Sequence, residues 1–174
     1  MMVPDTDQPG FDSTVAVRRD MVTPAPLQIP ELLPHPFAPS GPPTSWHRVE
    51  GRLVADAPAG SDLFIDPAHD GSRPDAPRLL APVDGDFQLS ARVSVDFAAT
   101  FDAGVLLVYA DATHWAKLCF EFTPQRRPSV VSVVTNGVSD DANAFELPDR
   151  SVWLRVSRIG RVFAFHASTD GTWW

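Results

Sequence analysis

The side chains best suited to chemistry lie on one run of alternating residues. Between positions 114 and 123 a period of two puts Trp115, Lys117, Cys119 and Glu121 on one side of a strand. Ala116, Leu118, Phe120 and Phe122 fall on the other and read as core. A tryptophan offers a flat apolar platform with one donor, while Lys and Glu fix polar groups, a combination that suits a sugar or small polyol. Residues 151–158 repeat the division, with Val152, Leu154 and Val156 inward and Trp153, Arg155 and Ser157 outward. If the two strands are neighbours, Trp115, Lys117, Glu121, Trp153 and Arg155 form one ligand-binding face. The plainer alternative is that the tryptophans cover the outer sheet while Lys117 and Glu121 form an ordinary ion pair.

Catalysis has less support than binding. A glycosidase on such a sheet needs two carboxylates about 5 Å apart for retention, and the same-face neighbours of Glu121 are Lys117, Cys119 and Thr123. Glu121 is therefore the one catalytic candidate, and its partner would have to come from another strand, as Asp102 or Asp111. The acidic stretches 62–70 and 139–143, with Asp62, Asp66, Asp140 and Asp141, offer oxygen ligands for calcium. Neither stretch matches an EF-hand loop, and such residues more often close Asx-turns. The histidines lack a His-x-x-x-His spacing and one cysteine cannot build a thiolate cluster, so no zinc site is expected. His166, beside Arg161 in the next run, reads as structural. No nucleophile elbow, Walker loop or dinucleotide fingerprint occurs, and no cofactor is expected.

The chain of 174 residues, 44% of them hydrophobic, is long enough for one domain with its own core. A net charge of −8 repels phosphate backbones and anionic lipid, which argues against nucleic acid or a membrane surface as partner. Lys117 is the only lysine, a bias that genome composition explains as readily as a site does. Cys119, the lone cysteine, reads as a small buried hydrophobe and excludes an intrachain disulfide. With no leader-like start and no long apolar run, a cytoplasmic protein is the expectation. Ten of the eighteen prolines fall between Pro4 and Pro43. Residues 1–43 therefore read as a partly disordered lead-in, with Met21 as a second possible start, and residues 44–174 as the folded domain.

Within that domain the strand runs predicted are 47–51, 53–57, 86–97, 103–110, 114–123, 129–136, 151–158 and 161–168, and no long amphipathic helix competes with them. Asp84-Gly85, Asn136-Gly137, Ile159-Gly160 and Asp170-Gly171 supply the intervening turns. Short, close-spaced strands of this kind predict an all-β antiparallel sandwich. The last turn is followed only by Thr172, Trp173 and Trp174. The expectation is a sandwich lacking its closing strands, with an open sheet edge available to a protein partner or a second copy.

Several segments together resemble the domain-of-unknown-function family numbered 1349, which includes a fungal regulation-of-enolase protein. They are Ser61-Asp62-Leu63-Phe64-Ile65-Asp66-Pro67, Gly85-Asp86-Phe87, Phe101-Asp102-Ala103-Gly104-Val105 and His114-Trp115-Ala116-Lys117 running to Glu121, followed by Ser132-Val133-Val134-Thr135-Asn136, Ser139-Asp140-Asp141, Trp153-Leu154-Arg155-Val156 and Ser168-Thr169-Asp170-Gly171 with Trp173. The resemblance spans residues 29–174 and implies a concanavalin A-like jelly roll of lectin and glucanase type. Ala103 departs from the Gln that many relatives carry, and the family's closing strands are lacking. The face of Trp115, Lys117, Glu121, Trp153 and Arg155 favours a lectin-like, non-catalytic carbohydrate or polyol-binding module; a carbohydrate hydrolase using Glu121 and a regulatory interaction protein are the alternatives. Fold kinship transfers neither a reaction nor a sugar.

Overall fold

The computed structural model describes residues 14–17, 37–68 and 71–174, and the described residues contain strands and turns but no helix. Two sheets face each other. The first has six strands in the order β14 (Val162–Ser168), β13 (Ser151–Ile159), β8 (Phe87–Val95), β1 (Thr14–Val17), β4 (Arg52–Asp56) and β3 (Ser45–Val49). The second has four, in the order β12 (Val138–Glu146), β11 (Pro128–Asn136), β10 (His114–Phe122) and β9 (Ala103–Asp111). Two short pairs, β2 (Ala38–Ser40) with β7 (Arg78–Leu80) and β5 (Asp62–Phe64) with β6 (Arg73–Asp75), complete the described strands. The all-β sandwich expected from the period of two is the architecture observed.

The core forms where the apolar parities of the two sheets meet. Ala91, Val93 and Val95 of β8 and Val152, Leu154 and Val156 of β13 pack against Leu106, Leu118, Phe120 and Val130 of the second sheet. Val93, Leu154 and Phe120 are fully buried, each contributing about 2–3 kcal/mol of transfer free energy. Phe97 fixes one end, edge-on to Phe120 with ring centroids 5.1 Å apart and stacked on Phe122 at 5.2 Å.

Two features depart from the strand expectations. Residues 139–143 were expected to be an acidic loop, but they lie within β12, paired antiparallel with β11. Gly137, at φ 77°, permits the tight reversal between these strands. Asp140, Asp141 and Glu146 then stand on the edge strand of the sheet, where charge discourages pairing with another chain. The other departure is β1, whose backbone inserts parallel to both β4 and β8 in an otherwise antiparallel sheet. Apart from β1 and residues 37–43, the lead-in expected over 1–43 lies outside the described residues, Met21 included. No described helix is long and apolar enough to cross a membrane.

Where β9 approaches β8 the sheets nearly touch. Gly104 stands opposite Phe120 in register, and a Cβ at that position would lie 2.3 Å from Val93 Cγ1 and 3.2 Å from Val95 Cγ2. The absent side chain makes room for Val93 and Val95 of the facing sheet. We predict that Gly104→Ala lowers stability by about 1–3 kcal/mol, the usual cost of overpacking. Urea denaturation measures it, and an unchanged midpoint would show that the sheets separate freely at this point.

A covered polar row on the outer face of the four-stranded sheet

The outer face of the second sheet is a grid set by strand register. Trp115 lies between Tyr109 and Thr135, Lys117 between Leu107 and Val133, Cys119 between Val105 and Val131, and Glu121 between Ala103 and Ser129. In an ordinary sandwich this face would be wet. Here Trp115, Lys117 and Cys119 are all buried, Lys117 at 5% exposure. Leu63, Phe64, Ile65 and Ala76 pack over the apolar members of the grid. The segment carrying them is tied down at its far end, since Ser139 N donates to the Ile65 carbonyl and Ile65 N donates to Ser139 Oγ, both at 2.8 Å.

Near its start the same segment answers the buried charge. Lys117 Nζ donates to Asp62 Oδ1 at 2.9 Å, so the partner of Lys117 is Asp62 and not Glu121. Four residues along one strand separate Lys117 from Glu121 by roughly 13 Å, with Cys119 between them, so the ion pair of the plainer alternative does not form. Burial lowers the Lys117 ammonium, yet the net shift is upward, with Asp62 raising it through both its charge and its hydrogen bond. Burial pushes the Cys119 thiol up to about 12, leaving it neutral at ordinary pH, so Asp62 supplies the countercharge.

Glu121 sits differently. It is half-buried, and no described residue hydrogen-bonds its carboxylate. Burial pushes the carboxyl up to about 7, with Lys117 opposing and Asp62 and Asp141 reinforcing the shift. Neither expected catalytic partner faces it. Asp102 Oδ2 accepts from Ala98 N and Ala99 N, and Asp111 accepts from Thr113 N and contacts the His114 ring.

Trp153 and Arg155 lie on β13, in the opposite sheet, and their side chains point to the opposite outer surface. The single face expected from parity is therefore two faces, because parity assigns a side within a sheet but not which sheet a strand joins. The C-terminal turn packs on this second face. A Cβ on Gly171 would lie 2.9 Å from Trp153 Cε2, and the Arg155 guanidinium lies 3.5 Å from the centroid of the Trp174 ring. His166 is exposed on β14, opposite Arg155. Of the calcium candidates, Asp66 accepts from Ala68 N and Gly71 N in a turn, Asp62 is the Lys117 partner, and Asp140 and Asp141 are exposed on β12. Among the described residues no group of three His, Cys, Asp or Glu side chains is arranged to hold a metal ion.

A cavity of about 300 Å³ opens beside the row. Lys117, Asp62 and Arg78 contribute polar wall, and Trp46, Leu79 and Phe101 are among the apolar lining. Arg78 is a residue that sequence reasoning missed. Its Nη1 donates to Asp75 Oδ1 at 2.6 Å, its guanidinium lies over Tyr109, and its Nε is buried without a partner. Phe101 was also missed as a lining residue. It is 58% exposed with φ at 70°, a left-handed backbone that an aromatic residue adopts at a cost of about 1–2 kcal/mol.

Because the fold raises the Glu121 carboxyl from 4.5 to about 7, the native state holds its proton longer than the unfolded chain does. The contribution is fully present below the lower value and is lost as pH rises through the upper one. We predict that wild-type stability falls between about pH 4.5 and 7 and that Glu121→Gln flattens this part of the profile. Urea midpoints across that range test it, and parallel profiles would contradict it.

The comparisons bear on the chain as a whole. A solved structure described as that of a functionally unknown protein from Saccharomyces cerevisiae is similar to it in fold, with a TM-score of 0.69 and 24% identity, over 79% of this chain and 75% of that one. No curated protein matches the sequence. The profile of the family described as "Protein of unknown function (DUF1349)" matches residues 40–174, the span that holds both faces of β10, the cover that pairs with Lys117 and the cavity beside them, and the chain belongs to that family.

Proposed function

We propose that this protein is a non-catalytic binding module for a small hydroxyl-rich ligand, a carbohydrate or polyol, seated beside Lys117, Asp62 and Glu121. The observation that carries the reading is a preformed cavity of about 300 Å³ with the buried Lys117–Asp62 pair in its wall, a volume at the small end of the range for ligand pockets. Glu121 flanks it, one strand over from the lining residue Ala103. An ammonium, a paired carboxylate and a carboxyl that titrates near 7 offer donors and acceptors with little net charge. Hydroxyl groups, which both donate and accept, match that wall better than an anion or a cation does. Binding is preferred to hydrolysis because the residues beside Glu121 in register are Ala103 and Ser129, so no second carboxylate stands opposite it on the sheet.

One observation favours a second reading, hydrolysis of a glycoside. A carboxyl raised to about 7 keeps a proton in a large fraction of molecules at neutral pH, as a general acid must, with Asp62 or Asp141 as the nearby second carboxylate.

Calorimetric titration with a panel of mono- and oligosaccharides and polyols tests both. Under the binding reading a panel member binds without being consumed, and Arg78→Gln, in the cavity wall, weakens it about tenfold, the worth of a hydrogen bond to a charged group. Equal affinity in wild type and variant, or no binding by any panel member, contradicts that reading. Consumption of a bound glycoside that ceases in Glu121→Gln would establish the second one.

A further inference from the structure

The cavity is chemically divided. It passes around β9, the edge strand of the four-stranded sheet. On the outer side it touches Val105, Leu107 and Lys117, and on the inner side Leu106 together with Leu53 of β4 and Ala91 of β8. The polar groups of the outer end are balanced within the protein: Lys117 is paired with Asp62 and Arg78 with Asp75. That end nevertheless keeps open valences. Arg78 Nε is buried without a partner, and Lys117 Nζ uses one of its three donors on Asp62. Two cations already matched by two carboxylates leave no net positive charge to hold an added anion and suit a neutral oxygen acceptor.

We infer that the ligand is a neutral amphiphile, a hydroxylated head carrying an apolar chain, with the head at Lys117, Asp62 and Arg78 and the chain between the sheets along Leu53, Ala91 and Leu106. The inference rests on the hydroxyl-ligand reading and narrows it. A free sugar satisfies the outer end but places hydroxyls against the aliphatic inner wall, where each unpaired group is costly. An alkyl chain fills that wall and removes apolar surface from water. Phe101, an exposed aromatic residue at the cavity wall, adds apolar surface on the path from solvent.

The test is calorimetric titration of the wild-type chain with n-hexyl and n-octyl β-D-glucopyranoside below their micellar concentrations, with glucose and 1-octanol as separated halves. Two more buried methylenes should tighten binding of the octyl over the hexyl compound roughly tenfold, and each half alone should bind far more weakly. Ala91→Ile, which places a larger side chain in the inner end, should remove the chain-length dependence. The wild-type series needs no variant, so failure of Ala91→Ile to fold leaves the test intact. Equal binding of glucose and octyl glucoside overturns the amphiphile while leaving the hydroxyl-ligand reading in place. Equal binding of octanol and octyl glucoside shows an idle polar end and overturns both. No binding of octyl glucoside overturns the inference, and whether the sugar panel still binds then decides the broader reading.

Discussion

A lysine removed from water needs a countercharge, and that requirement organises one side of this molecule. Strand β10 is buried on both faces, with Leu118 and Phe120 in the core and Trp115, Lys117 and Cys119 beneath a covering segment. An unpaired ammonium at 5% exposure would give up its proton or unfold the site. Asp62 prevents this only if residues 62–65 cross the sheet, and the two hydrogen bonds to Ser139 hold the other end of that crossing. The same crossing sets Asp62 into the wall of the cavity. Ion pair and polar cavity wall are thus consequences of one piece of chain lying over one strand.

The sandwich itself was legible because a half-buried strand writes its burial into the sequence with a period of two. Phe87 to Val95 and Val152 to Val156 alternate without interruption, and both became strands with the expected residues inward. Strand β12 was not legible. Ser139, Asp140, Asp141 and Asn143 carry turn formers and charges, and only pairing with β11 makes them extended. Their composition records a role at the sheet edge, which looks like a loop when read locally.

The site was half legible. Parity placed Trp115, Lys117 and Glu121 on one face correctly, but no local pattern reports that a surface 55 residues away in sequence will cover that face. The one available signal was Lys117 as the only lysine of the chain, on a strand flanked by apolar runs; lysine is almost never fully buried unless paired. Trp153 and Arg155 share the pattern of β10 yet lie on the other sheet, because two strands of the same pattern need not belong to one sheet. Arg78 and Phe101 carry no sequence pattern at all, and their relevance comes from tertiary placement beside the cavity.

The account's central claim is that Lys117 and Asp62 act as a coupled pair that fastens the cover to the sheet. A double-mutant cycle with Lys117→Met, Asp62→Asn and the combined variant, read by urea denaturation at pH 7, measures that coupling. The account predicts single-variant losses that are strongly non-additive, with a coupling energy above about 1.5 kcal/mol and the double variant recovering part of what Lys117→Met loses. Additive losses within about 0.5 kcal/mol would contradict it, and the outer face of β10 would then be held by its apolar contacts alone.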